Sequence, residues 1–287
     1  MQFRESLRRR NVQPAWVYRA DGVVWRVLPT DAGVFVGEER DLQEKQVSFF
    51  CVDRMTGEVL WRGISFDEGW WIGIEAVGSD RVFLHGFLKP DMPEHKKIFA
   101  LDLFTGRTVW SNDDMRFILA TEGSVFASKS TTNGQLTFEL DLRTGSVLRS
   151  LENEYEVLNH AKSRMQILAR IETEFPVRLG ESLFPGEPAI ALVGRHCRSD
   201  TVVGPVEVVE KNDLLFFSYH ERTGLDGGLT NTLKVVDRHD GELLLAETLN
   251  QNLQTTVPDS FFLQGTMLYF VKERSTLTAV NINGLKK

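Results

Sequence analysis

Residues 98–110 read IFALDLFTGRTVW, and residues 49–61 read FFCVDRMTGEVLW. The phrase returns as LTFELDLRTGSVLR at 136–149, as LKVVDRHDGELLL at 233–245 and, shortened, as LTAVNING at 277–284. Its skeleton is an apolar strand, an Asp, two residues, Thr-Gly or Asp-Gly, and a second strand. The Asp side chain can accept backbone amides two residues on and start a turn, and the Gly takes the φ > 0 position that closes a hairpin. Trp61 and Trp110 end two of the copies and offer large apolar surfaces suited to a seam between sheets. One such phrase is only a hairpin; its recurrence with the same flanks predicts a repeat architecture.

Working outward, a second phrase precedes each copy: a turn residue followed by an apolar strand. It appears at Val34 (AGVFVG), Val82 (DRVFLHG), Val125 (GSVFASK), Met165 (SRMQILAR), Leu214 (NDLLFFSY) and Met267 (GTMLYFV), at intervals of 40 to 53 residues. Six units of this length fill the 287-residue chain. Four strand-length segments per unit is the pattern of a propeller blade. In the second unit the strands are expected at 71–77, 81–87, 97–103 and 107–111. The last unit lacks a fourth strand, so the segment 15–19 is expected to supply it and close the ring, with 23–28 opening the first blade. The predicted fold class is therefore an all-β single propeller of about six four-stranded blades over residues 15–287, preceded by a basic arm at 1–14. Seven blades is the alternative if 172–204 hides a further unit.

The phrase ALDLFTGRTVW resembles the A-L-D-x-x-T-G-x-x-x-W signature of PQQ-like, quinoprotein-type β-propeller repeats. That resemblance implies the propeller fold. It would also imply a quinone cofactor and an exported dehydrogenase, but those enzymes are larger and carry a vicinal cysteine pair, which Cys51 and Cys197 do not form. PQQ is therefore not expected, and no other cofactor is assigned.

Hydrophobic residues make up 42% and charged residues 25%, enough for a sizeable core. The net charge of −7 argues against a nucleic-acid partner, which needs a basic surface. No apolar run is long enough to span a bilayer, and the N-terminal MQFRESLRRRNVQP has no apolar stretch after its arginines, so a cytoplasmic monomer is expected. Arg4, Arg8, Arg9 and Arg10 read as a solvated tail or as an arm for an acidic partner. Two cysteines exclude a disulfide framework.

No Gly-x-Ser-x-Gly or Walker-type loop occurs. The six histidines form no His-x-His or His-Glu-x-x-His pattern, so no metal site is assigned; His196 and Cys197, as strand neighbours, are expected to face opposite ways. Repetition of Asp-x-x-Thr-Gly inside hairpins excludes an aspartic-protease reading.

The Thr-Gly hairpins are short. Long polar connections are expected at the opposite end of the strands: from Glu38, from Leu88, from His220, and in an insertion at 171–188. Loops on a rigid scaffold are where function concentrates. The predicted function is a non-enzymatic module binding a protein partner or small polar ligand there, through Arg40, Asp67, Trp70, Trp71, Lys89, His95, Arg178, His220 and Arg222. The two tryptophans would either stack on a ligand or pack between blades. The alternative is a hydrolase or lyase with a metal in the central channel, calcium being the candidate and Asn112, Asp113, Asn159, Asn250 and Asn252 the nearest oxygen donors.

Overall fold

The computed structural model describes residues 12–78, 80–89, 92–132, 134–151, 158–159, 161, 173–180, 187–198, 200–222 and 227–286. Its fold class is all-β, built from antiparallel meanders of the propeller-blade type, three of four strands and two of five among the described residues. The chain divides into two compact units, Ala20–Ile171 and a second formed by Met1–Arg19 with Glu172–Lys287.

The chain enters on β1 (Trp16–Arg19), which belongs to the second unit. The first unit then holds three sheets, each in simple sequential order. They are β2 (Val23–Pro29), β3 (Val34–Asp41), β4 (Gln46–Asp53) and β5 (Val59–Ile64); β6 (Ile72–Gly78), β7 (Arg81–Lys89), β8 (Met92–Asp102) and β9 (Thr108–Asn112); and β10 (Arg116–Ala120), β11 (Ser124–Thr131), β12 (Gly134–Asp141) and β13 (Val147–Ser150).

The repeated phrase builds what it predicts. Asp102 Oδ1 accepts the Phe104 and Thr105 amides at 3.2 and 2.9 Å and the Thr105 hydroxyl at 2.8 Å, and Gly106 closes the turn at φ 67°. Asp53 and Asp141 repeat the arrangement with Thr56 and Thr144. The Thr144 hydroxyl, followed by the Thr144 and Arg143 amides, holds the Asp141 carboxyl below its ordinary value.

Seams between successive sheets form the core. Val82 and Leu84 of β7 pack toward the preceding sheet with Val34, Val36, Phe49 and Trp61. Phe83, between them, packs toward the following sheet with Trp110, Phe117 and Val125. A central strand covered on both faces reads as a continuous apolar run, which is why VFL does not alternate with polar residues. Each seam is clasped by the outer-strand tryptophan: Trp61 Nε1 donates to Leu103 O and Trp110 Nε1 to Leu142 O, both at 2.9 Å.

In the second unit, β14 (Thr173–Glu174) pairs with β20 (Phe261–Gln264), while β15 (Val177–Arg178) pairs with β16 (Glu207–Lys211). The short segment 173–178 therefore adds a strand to two different sheets. One continues as β17 (Leu214–Arg222), β18 (Leu229–Asp237) and β19 (Leu243–Leu253); the other as β21 (Met267–Lys272), β22 (Thr276–Asn281) and β1. Trp16 to Arg19 run antiparallel to Ala279 to Thr276, so the N-terminal strand is the outer strand of the C-terminal sheet, as expected from the missing fourth segment. Phe216, Leu233, Phe261 and Leu268 lie in the core between these sheets.

Two expectations change. The connections from Glu38 and Leu88 are mostly strand: β3 and β4 leave only a four-residue turn, and β7 reaches Lys89 before β8 starts at Met92; in the connection from His220, β17 reaches Arg222 and β18 starts at Leu229. Residues 38–41 still find partners on β4, and a ladder that satisfies backbone groups extends until turn chemistry stops it. Here that stop is Asp41, whose Oδ1 accepts the Gln43 and Glu44 amides. Secondly, His196 and Cys197 are not on a strand. His196 ends the helix α1 (Glu187–His196), and Ala189, Leu192 and Val193 bury its apolar side. The described residues of 172–204 form two-residue strands and this helix. The strand expected at Met165 and the arginines at 4 and 8–10 lie outside the described residues.

The clasp predicts a stability cost. Trp110→Ala is expected to lower the unfolding free energy by about 3–5 kcal/mol, the usual range for truncating a buried Trp, read from the denaturant midpoint. Val109→Ala on the exposed side of the same strand should cost far less.

Candidate functional site

The sequence-predicted residues fall into both units. Arg178 and Arg222 lie at exposed ends of β15 and β17 in the second unit. His220 lies in the same unit and is not on a solvent-facing loop. It is buried in β17, where Nε2 accepts the Val257 amide at 3.0 Å, and burial depresses its pKa. Its role is to hold the 257–260 segment, together with Ser260 Oγ, which accepts from Asn231 and donates to Val257 O.

In the first unit, Asp67 is exposed on the turn before β6. Lys89 ends β7, and its side chain lies outside the described residues. Arg40, Trp70, Trp71 and His95 make the most organised surface. The Arg40 guanidinium sits 4.8 Å from the Trp25 ring and 4.7 Å from the Trp70 ring, and Lys45 Nζ approaches Trp70 at 4.8 Å. Arg40 pairs with Glu38 at 2.6 Å, and Glu38 Oε2 accepts the Ile74 amide at 3.1 Å. Arg40 also donates to Trp70 O and Ile72 O, and Arg26 donates to Ile74 O. Trp25, 54% exposed, is the extra residue of a bulge between Val24 and Arg26. Sequence reading missed it because a bulge shifts the parity of inward and outward positions.

Beside this surface lies a second cluster. Glu75 Oε2 is 2.8 Å from His85 Nδ1 and 2.7 Å from His95 Nδ1, and the two imidazoles stack with centroids 3.6 Å apart and planes 6° apart. Phe87 packs edge-on against both rings and against Trp71. Burial alone would raise the Glu75 carboxyl; the contacts from His85 and His95 outweigh it and hold the group below its ordinary value. Gly73 separates the two clusters: a Cβ there would lie 3.2 Å from Glu38 Oε2 and 3.5 Å from His85 Nε2. On its open side His95 borders a pocket of about 190 Å³ between β8 and the β10–β11 hairpin.

Glu75 is a bulge residue, since Ile74 pairs with Leu84 and Ala76 with Phe83. The β7–β8 ladder is irregular between Leu84 and Gly86, where His85 lies. Neither irregularity has a local motif, which is why only His95 of the three was singled out. Of the oxygen donors considered for calcium, Asn112 Oδ1 accepts the Asp114 and Met115 amides, and Asn250 lies buried opposite Asn231.

A family model described as a domain of unknown function, DUF4905, matches residues 28–110, a stretch that includes both clusters apart from Trp25 and Arg26. Among curated proteins none matches this sequence. Among solved structures, BamB from Moraxella catarrhalis is 12% identical, with a TM-score of 0.36, over 93% of this chain and 85% of that one. A member of the DUF4221 family from Bacteroides vulgatus is 8% identical, with a TM-score of 0.32, over 92% and 95%. A europium-containing methanol dehydrogenase is 10% identical, with a TM-score of 0.31; this chain, over 92% of its length, spans about half (52%) of that one. At these scores none carries an inference about activity or partners.

The buried His220 gives a pH prediction. Its folded pKa lies below the ordinary 6.5, so its contribution to stability is present above 6.5 and is lost as pH falls through the depressed folded value. Thermal unfolding between pH 7.5 and 5 should show a loss of stability that is smaller in His220→Gln. An unchanged slope in that variant would assign the effect to other groups.

Proposed function

We propose that the protein is a non-enzymatic binding module that presents the Trp25–Arg40–Trp70 surface to a protein partner. The observation carrying this reading is the Arg40 guanidinium held between two indoles, one of them 54% exposed. Trp and Arg are the side chains that most often dominate interface energetics, and a side chain already fixed by packing loses little entropy on docking. Trp71, 38% exposed and braced by Phe87, extends the aromatic surface. Lys45 and Arg26 add positive charge at its margin, which fits a partner segment with an apolar side chain flanked by carboxylates.

The finer architecture belongs to the same proposal. Six blades, closed by β1 on β22, are supported by six copies of the strand phrase and by the pairing of Trp16–Arg19 with the last strand. A small polar ligand is the second reading, favoured by the pocket beside His95.

Affinity capture with quantitative mass spectrometry should identify proteins retained by the wild type and lost by Trp25→Ala and by Lys45→Glu. Trp25 is exposed enough to be truncated without unfolding the sheet. Loss of a hot-spot residue should weaken a binary complex by about 30-fold or more, equivalent to about 2 kcal/mol. An unaltered set of partners in both variants, each with native circular dichroism, would sink the reading.

A further inference from the structure

We propose that Glu75, His85 and His95 form a binding site for a divalent transition-metal ion of the zinc type. The inference stands apart from the docking surface: it rests on different side chains, and either can fail alone.

The donor set comes first. One carboxylate oxygen and two imidazole nitrogens, from three adjacent strands, lie within 4.8 Å of one another. Imidazole and carboxylate are zinc ligands, with bonds of about 2.0–2.2 Å, so donors around a tetrahedral ion stand about 3.3 Å apart. Glu75 Oε2 is 2.7 and 2.8 Å from the two Nδ1 atoms, and the stacked imidazoles, 6° from parallel, would have to turn apart for both Nδ1 lone pairs to meet one ion beside the carboxylate.

His85 supplies an independent observation. Its side chain is 10% exposed, and its Nδ1 makes no directed hydrogen bond despite lying 2.8 Å from Glu75 Oε2. A buried nitrogen close to a carboxylate yet out of hydrogen-bonding direction is poorly used by the cluster alone. Coordination to a shared cation would satisfy both groups.

The repeat offers an internal comparison. In the next sheet, the bulge that corresponds to Glu75 falls at Ile118, since Leu119 pairs with Phe126 as Ala76 pairs with Phe83. By the same register Ser128, opposite Arg116, stands where His85 stands opposite Gly73. The frame thus places an apolar and a small side chain at the positions that carry Glu75 and His85 here.

The fourth position is open. His95 is 35% exposed on the side of the pocket, where Arg116, Ser128 and Lys129 offer donors to a water molecule or a small anion completing the coordination. A three-ligand site with an accessible position differs from a closed structural zinc site.

The test uses the full chain without a histidine tag, stripped with chelator and titrated calorimetrically with Zn²⁺, and separately with Co²⁺ to read the visible bands of a tetrahedral site. One Zn²⁺ per chain is expected, with the affinity reduced by about 100-fold or more in Glu75→Gln and in His95→Ala. His239→Ala, at an exposed surface histidine, should bind as the wild type does. His95→Gln provides the same test on a part-exposed side chain should Glu75→Gln fail to fold. The proposal is overturned if the wild type takes up no stoichiometric Zn²⁺, or if folded His95→Ala and His95→Gln bind it as tightly as the wild type.

Discussion

The structure depends on an indole lying against a glycine. A Cβ at Gly106 would stand 2.8 Å from Trp61 Cδ2, and one at Gly145 would stand 2.6 Å from Trp110 Cδ2. Each glycine therefore meets two demands at once: the positive φ that closes its own hairpin, and the missing side chain that lets the previous sheet's tryptophan close the seam. The indole N–H is satisfied by a carbonyl of the same turn, so the ring is buried without an orphaned donor. In the first unit the phrases thus interlock, the Trp that ends one closing on the Gly of the next. The second unit solves the same problem differently. Gly241 meets Leu192 and Arg195 of α1, and His196 Nε2 lies 2.9 Å from Gly241 O. The helix covers the turn that a tryptophan covers elsewhere, which gives this irregular element a packing reason.

That division explains what could be read in advance. Turn chemistry is local, so Asp53, Asp102 and Asp141 announced their hairpins, and apolar runs placed the strands of the second sheet within a few residues. The pairing of β1 with β22 followed from counting strands, a global argument needing no local signal. The helix at 187–196 was illegible because the repeat frame led one to expect strands there. The long connections were misjudged because polar composition was read as loop. In β3 and β8 the polar residues near the hairpin tip belong to a ladder that continues past the core.

The candidate site was half legible for a related reason. Arg40, Trp70, Trp71 and His95 stood out as charged or aromatic residues near strand ends, and the structure gathers Arg40 with Trp70 and His95 with Phe87 and Trp71. Their partners Trp25 and Glu75 are bulge residues, and His85 lies at an irregularity in its ladder. A bulge changes which side a residue faces without changing composition, so alternation misleads at the positions where side chains are re-aimed.

The same charges that dress this surface also hold the scaffold beneath it. β6 is the edge strand of its sheet, and an edge presents backbone groups with no strand to pair them. Arg26 Nη1 takes Ile74 O at 2.8 Å, Glu38 Oε2 takes the Ile74 amide, and Arg40 reaches Trp70 O and Ile72 O. Side chains of one sheet thereby satisfy the exposed edge of the next, beside the bulge that turns Glu75 toward the histidines. Glu38 is 2% exposed, and its buried charge is tolerable because Arg40 and a backbone amide both meet it. Arg40 is consequently a structural residue as well as a surface one, and its removal would disturb β6 before any partner was involved. Trp25 and Lys45, which meet Arg40 and Trp70 from the solvent side, are the residues through which binding can be separated from folding.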